Sequence, residues 1–462
     1  LVGIIGAGPA GLAAAYTLAK AGVRVVVLES DPRYTGGIAR TVEHNGYRFD
    51  IGGHRFFSKS REIEDLWTEL LPQDMLVRER KSRILYRGKF YSYPLKALEA
   101  LAKLGPVESF LCVLSYLRAR LSPVAHPENL EDWVSNEFGA RLYRTFFKTY
   151  TEKVWGVSCD QISADWSAQR IKGLSLTAIV KNALLPRRGE PKTLLRTFRY
   201  PRLGPGMLWQ AAAARIAEMG GEVRLGHRVA SVVWDPRGGR WTLGGESGWT
   251  VEVDHVVSTA PLAELVRAIR PALSAECQEA ASRLRYRDFL TVAVMAKGRP
   301  SFDDQWVYIH DPGIRAGRVQ NFHSWSPDLL PDEDCSCYGL EYFCFETDEM
   351  WSWPDGRLVE LARQELGRTG LVRPEDVTSA CVVRQPKAYP FYDRDYSSTV
   401  AAIRAEIERE CPQLQVAGRN GMHRYDNQDR AMMTGILAAR NILEGRRKYD
   451  PWLVDEDAQY LG

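Results

Sequence analysis

Long apolar runs are missing from this chain. The apolar stretch before Arg118, Phe110 to Leu117, is too short and too polar to span a bilayer, so no membrane crossing is expected. An excess of one charge is missing too. Against 61 basic residues stand 58 acidic ones, a net charge of +3, and the basic residues are scattered, which argues against a nucleic-acid surface. Eight cysteines form no paired framework. Cys335 and Cys337 sit two apart, but no nearby cysteine or histidine completes a zinc site, so no metal is expected. No internal repeat, low-complexity tract or second GxGxxG fingerprint occurs. The chain opens directly on an apolar strand pattern, without room for a signal peptide before it, and a cytoplasmic setting is the expectation.

What is present is a chain of 462 residues, 45% hydrophobic, enough for two or three domains around a sizeable core. Val2-Gly3-Ile4-Ile5 runs into Gly6-Ala7-Gly8-Pro9-Ala10-Gly11, then an Ala-rich helical stretch, then Val23 to Glu29. Each glycine has a physical task. Gly6 allows the tight turn, Gly8 lets the backbone approach a pyrophosphate, and Gly11 lets helix and strand pack closely. The helix N-terminus offers N–H groups and a positive dipole end to the phosphates. Glu29 closes the second strand at the spacing where an acid takes ribose hydroxyls. A second glycine pair with a basic residue, Gly36-Gly37-Ile38-Ala39-Arg40, follows. This stretch resembles one that helps hold the FAD diphosphate in two-dinucleotide-binding-domain flavoproteins, which implies that role for Gly37 and Arg40 and favours FAD over NAD. Near the other end, Gly418-Arg419-Asn420-Gly421 leads through His423-Arg424-Tyr425 and Asn427-Gln428-Asp429 into an apolar helix, the expected resting place of the reactive ring.

The expected fold class is α/β: a discontinuous Rossmann-type FAD-binding domain, a helical insertion and a β-sheet substrate domain. The first FAD-binding piece spans 1–78 and a mainly helical insertion spans 79–199, punctuated by Pro94, Pro106, Pro123 and Pro127. A second FAD-binding piece spans 200–288. It holds a helix to Met219 and alternating strands that end in Val257-Ser258-Thr259-Ala260-Pro261. A β-rich pocket domain with many aromatic residues spans 289–404, and 405–462 returns to the FAD-binding domain with a helix from about Arg430 to Leu443.

At this point the chain resembles the UDP-galactopyranose mutases, more their larger, eukaryote-like form than the compact bacterial one. Gly52-Gly53-His54 is similar to that family's histidine loop beside the flavin. Tyr150-Thr151-Glu152-Lys153-Val154-Trp155, followed by Arg170, resembles its Lys-Val-Trp block and the arginine fifteen residues later. Tyr308 and Arg318, ten apart, look like the tyrosine and second arginine of a diphosphate clamp, and Tyr389-Pro390 like a further contact. The C-terminal block is similar as well. The resemblance implies that His54, Arg170, Arg318 and Arg419 are catalytic. It places Gly53, Arg419, Asp429 and Met433 at the cofactor, and Tyr93, Lys96, Trp155, Tyr308, Tyr389, Tyr425 and Asn427 at the substrate.

The implied reaction is a non-redox interconversion of pyranose and furanose forms of a nucleotide-diphosphate sugar. In that family reduced FAD attacks the anomeric carbon through N5 and displaces the nucleoside diphosphate; the flavin–sugar adduct opens and recloses on a different hydroxyl, and the diphosphate returns as the flavin leaves. Two arginines from separate segments suit a diphosphate, because guanidinium forks bind its oxygens bidentately. An external reductant, NAD(P)H or a reductase, is implied too. One departure bears on the base: Tyr93-Pro94 is followed by Leu95 and Lys96, where the eukaryotic family carries an aromatic and an amide. A donor-only lysine suits guanine, with acceptors at O6 and N7, better than uracil, so a GDP-sugar is an alternative to UDP-galactose. Plainer readings stand beside these. Arg170 and Arg318 could be salt-bridge partners, His54 a loop histidine, Trp155 core packing, and Asn427 or Asp429 helix caps. A redox flavoenzyme of the amine-oxidase or protoporphyrinogen-oxidase type shares the glycine signatures and is the competing function.

Overall fold

The computed structural model describes residues 1–162, 197–393 and 395–454. Its first layer is a five-stranded sheet in the order Leu414–Val416, His255–Ser258, Val2–Ile5, Val25–Leu28, Glu222–Arg224, with every neighbouring pair parallel. Val2–Ile5 and Val25–Leu28 are buried along their whole length, as strands covered on both faces must be, so their apolar runs do not alternate. On one face lie the helices Pro9–Lys20, Pro205–Glu218 and Gln428–Leu443. Pro9 occupies the first helical position, where its missing N–H costs nothing. The first and last of these helices approach unusually closely: a Cβ built on Gly435 would fall 2.1 Å from the carbonyl oxygen of Ala10. The other face carries a meander of Val229–Asp235, Arg240–Gly245 and Thr250–Val253, with helices Leu262–Ala268 and Ala275–Arg283.

The second layer is a seven-stranded sheet in the order Val377–Pro390, Tyr286–Lys297, Cys335–Cys344, Arg318–Asn321, Trp306–Ile309, Ser82–Tyr86, Lys89–Ser92. All neighbours are antiparallel except Trp306–Ile309 beside Ser82–Tyr86. Helix Asp355–Arg368 seals one face with Leu358, Ala362 and Leu366. Among the described residues the insertion carries helices Ala97–Leu104, Pro106–Leu121, Leu130–Phe138 and Thr149–Trp155, with a short helical turn at Ala140–Leu142. Its range, read as mainly helical from residue 79, opens instead on a hairpin. Arg87 and Gly88 both take positive φ, 49° and 69°, the conformation of a two-residue turn that matches strand twist. Arg-Gly is a weaker turn signal than Asn-Gly, so the local pattern hides the hairpin. The expected α/β class, with a Rossmann-type sheet and a separate substrate sheet, is what the chain adopts. No helix among the described residues is long and apolar enough to cross a membrane.

Candidate active site

A cleft of about 560 Å³ opens at the carboxyl ends of the parallel strands, the position where open α/β sheets bind ligands. Four strand ends deliver its lining: Gly6 after Ile5, Glu29 after Leu28, Thr259 after Ser258, and Gly418 with Arg419 after Val416. The glycines are required by what surrounds them. A Cβ on Gly6, at φ 98°, would sit 2.3 Å from Thr259 Oγ1, and one on Gly11 would sit 2.0 Å from the Gly6 carbonyl oxygen. Gly8 differs. Its Cβ would meet only the Cα of Gly37, 4.0 Å away, so it would project into the gap between the two glycine loops. That gap is a cradle which side chains would fill. The helix beginning at Pro9 points into it and has no acidic residue in its first turn to repel phosphate.

Glu29 is buried, and its Oε2 accepts from the Ala7 N–H at 2.6 Å while Oε1 accepts from that of Asp31 at 2.9 Å. Arg40 donates to the Gly37 carbonyl at 2.9 Å and to Gln385 Oε1 at 2.7 Å. Burial pulls its guanidinium below the usual value, and Asp31 opposes that pull. A backbone cradle, a ribose-height carboxylate and an arginine behind the second glycine loop together fit FAD.

His54 stands where this cleft meets a cluster of side chains on the antiparallel sheet, with Arg318 close enough to act on its charge. It lines the cleft, and its Nδ1 is buried without a hydrogen-bond partner. Burial, then the nearby Arg419 charge, push its pKa down to about 3, so the imidazole is neutral across the working pH range. Arg419 also lines the cleft, but backbone carbonyls occupy its guanidinium: Nε and Nη2 donate to Asp426 O at 2.9 and 2.8 Å, and Nη1 to Ala388 O at 3.0 Å. Its Cζ lies 4.6 Å from the Tyr425 ring and 5.4 Å from that of Tyr389. Those two rings stack at 5.4 Å and 9°. Arg419 therefore ties the C-terminal block to the substrate sheet.

That cluster is built on one cross-strand row. Tyr308 faces Arg318, Arg318 faces Glu341, and Glu341 faces Thr291 in consecutive ladders. Directly opposed residues share a face of a sheet, so the spacing of ten between Tyr308 and Arg318 is the span of a hairpin. The row faces the His54 loop, because Thr291 Oγ1 donates to Ile51 O at 2.9 Å. Glu341 is fully buried, ion-paired with Arg318 at 2.5 Å, and accepts from Gln320 Nε2 at 2.7 Å. Burial pushes the Glu341 carboxyl up while Arg318 pulls it back. Burial is the largest single influence on Arg318 and opposes its charge, but Glu341 together with Tyr150, Tyr389 and Tyr308 outweighs it. Arg318 Nη2 reaches the Tyr389 hydroxyl at 3.4 Å. Tyr93 packs on Tyr308 at 4.6 Å and Tyr150 meets it edge-on at 5.5 Å.

Other sequence-derived candidates fall elsewhere. Gly53 is glycine because a Cβ there would strike the Trp306 ring at 2.7 Å, and it lies outside the cleft lining. Met433 is buried in the helical core beneath the parallel sheet. Asp429 lies in the first turn of the last helix, where burial raises its carboxyl and the Ser58 side chain hydrogen-bonds it. Asn427 is the exposed N-cap residue of that helix, without a side-chain cap bond. Trp155 is buried in the insertion core against Phe391. Lys96 is exposed at the start of helix Ala97–Leu104. Arg170 lies outside the described residues.

Sequence reasoning missed Arg55, Arg80 and Glu341. Glu341 carried a visible signal, a lone acid in the otherwise uncharged strand Cys335–Cys344, since unpaired acids are rarely buried.

The sequence model for flavin-containing amine oxidoreductases matches residues 9–443. The Mycobacterium tuberculosis protein named as flavin-containing monoamine oxidase AofH is 27% identical over 298 residues, which cover 60% of this chain and 61% of that protein. Protoporphyrinogen oxidase 2 of Arabidopsis thaliana is 22% identical over 207 residues, 41% of each chain. The chain thus spans less than two thirds of either curated relative. The solved structure of reduced UDP-galactopyranose mutase superposes with a TM-score of 0.86 at 23% identity, covering 100% of this chain and 99% of that one.

Proposed function

The chain belongs to the family of flavin-containing amine oxidoreductases and binds FAD, and from that premise we propose that it is a mutase rather than an oxidase. In this reading it interconverts pyranose and furanose forms of a nucleotide-diphosphate sugar, with FAD in its reduced form. The observation that carries the proposal is the row Tyr308–Arg318–Glu341, closed by Tyr389 and meeting the cofactor cleft at His54. Reduced FAD, when bound, supplies an electron-rich ring nitrogen able to take and return an anomeric carbon.

The chain's own residues do the rest. Arg318, held charged and oriented by Glu341, binds the diphosphate and keeps it near for recapture. Tyr308 and Tyr389 direct hydroxyls to the same oxygens without adding charge. Neutral His54 presents an unpaired ring nitrogen at the junction and adds no cation there. Aromatic walls from Trp306, Phe343 and Tyr425 limit water around the sugar. Lys96, exposed just beyond Tyr93, favours a guanine base over uracil in this reading. The reductant is NAD(P)H or a separate reductase.

The family relatives named as oxidases favour a second reading, oxidation of an amine or a porphyrinogen. An amine cation would be repelled by the cluster's arginines, so charge argues against the amine half of it. The deciding assay is anaerobic. Dithionite-reduced protein is incubated with UDP-galactose and, separately, with GDP-sugars, and products are separated by chromatography. A same-mass furanose isomer formed only with reduced flavin is the expected result. No isomer from any nucleotide sugar, with flavin reduced by an amine or a porphyrinogen, would transfer the assignment to the oxidase.

A further inference from the structure

Three guanidinium groups crowd around Tyr93 and Tyr308, and their charges are not equally compensated. Arg318 has Glu341. Arg55 and Arg80 have no carboxylate partner among the described residues. Arg55, the residue after His54, lies over Trp306 with Cζ 3.7 Å from the ring centroid. Ser82 Oγ accepts one of its five N–H donors at 3.0 Å. Arg80 lies over the Tyr93 ring at 5.4 Å. The Nε atoms of Arg55, Arg80 and Arg318 are all buried and without partners.

Orphaned buried donors on a cation cost several times what an ordinary hydrogen bond contributes, so a native fold keeps them where a ligand completes them. The strain is visible at Arg55: burial first, and then the charges of Arg80 and Arg318, pull its guanidinium down to about 9, against the help of Tyr308 and Tyr93. An incoming anion would relieve all of these at once. Two guanidinium groups with open donors, one pre-set on an indole face, match a diphosphate, which spreads two charges over several oxygens.

We propose that Arg55 and Arg80 form a phosphoryl-oxyanion subsite beside Tyr93 and Tyr308, separate from Arg318, whose charge Glu341 already balances. The proposal rests on the nucleotide-diphosphate reading above and locates the uncompensated positive charge that such a substrate needs. Arg55 reads the phosphoryl oxygens with its fork, while Arg80 supplies the second charge.

Calorimetric titration of the FAD-loaded full chain tests this without turnover. Inorganic pyrophosphate and UDP are the probes, and succinate is the dicarboxylate control. The wild type is expected to bind pyrophosphate and UDP at least tenfold more tightly than succinate, with affinity falling as salt rises. Arg55→Met keeps a stem over Trp306. It should retain FAD and lose at least tenfold in affinity for both phosphates, while Arg55→Lys should lose less, because it keeps charge but not the fork. Arg80→Met should show a smaller loss of the same kind. Unchanged affinity in Arg55→Met would overturn the subsite. So would a wild type that ignores pyrophosphate, or one that binds succinate equally well. If Arg55→Met does not fold, unchanged affinity in both Arg55→Lys and Arg80→Met overturns it instead. A missing isomerase activity alongside an Arg55-dependent pyrophosphate site would remove the mutase reading and leave the subsite standing.

Discussion

The cofactor cleft is shaped largely by backbone, whereas the cluster beside it is built of side chains from separate strands. The cleft takes its shape from Gly6, Gly8, Gly11 and Gly37, each of which faces a main-chain atom or a short hydroxyl side chain. The cluster takes its shape from Tyr308, Arg318, Glu341 and Tyr389, delivered by four different strands of one sheet. A backbone site tolerates change in the surrounding side chains but not in its glycines. A side-chain site can be re-specified one residue at a time while the sheet beneath it stays intact. That difference accounts for one cofactor serving a family with diverse substrates, and it can be broken experimentally.

The largest effect is expected where backbone meets backbone. Gly435→Val would drive a side chain into the Ala10 carbonyl between the first and last helices. A cost of about 3 kcal/mol or more follows from overpacking a close crossing, read as lost soluble yield or a collapsed thermal transition. A variant that melts like wild type would show that the helices can separate without harm. Gly8→Val should behave differently, because its side chain enters only the open cradle. The fold should survive while bound FAD, read from visible absorbance after desalting, falls close to zero. Full flavination would remove the cradle from the comparison.

The converse variant belongs to the cluster. Arg318→Ala should retain FAD yet leave Glu341 buried without its partner, costing about 3–5 kcal/mol. Arg318→Met combined with Glu341→Gln should recover most of that stability, seen by denaturant titration, without recovering nucleotide affinity. Restored affinity in the double variant would deny Arg318 its role at the diphosphate.

The smallest effect sharpens the seam between the two regions. Asp50 is fully buried just before the His54 loop, and its Oδ2 accepts from the Tyr200 hydroxyl at 2.7 Å. Burial pushes its carboxyl up to about 8. Between about pH 4 and about pH 8 the folded chain keeps a proton that the unfolded chain releases, so stability should fall as pH rises across that window. The slope is roughly 1 kcal/mol per pH unit. Asp50→Asn should flatten the dependence of melting temperature on pH, and an unchanged slope would mean that Asp50 ionises freely in the folded chain.

Local order made most of the cofactor domain legible. Strand, glycine turn, Ala-rich helix, strand and acid follow one another within 29 residues, and short-range sterics dictate each step. The Tyr308–Arg318 pair was legible because a hairpin turns a sequence spacing into a cross-strand contact. Arg55 was not, although it adjoins His54, since nothing local tells that Trp306, some 250 residues away, supplies its seat. Gly53 and Met433 were placed at the cofactor, yet one makes room for that same Trp306 and the other fills the helical core. The hairpin at Arg87-Gly88 was masked by the helices that follow it.

The sequence by itself determined the dinucleotide grip, the α/β class and the discontinuous order of its pieces, because turns, helix starts and strand burial depend on neighbours a few residues apart. Only the tertiary structure decided how charge is shared in the cluster beside the cleft. Whether an arginine is balanced, as Arg318 is by Glu341, or left with open donors, as Arg55 is on Trp306, depends on partners that meet only when the sheet assembles. Electrostatic balance is a property of distance in space, and the chain does not state those distances until it folds.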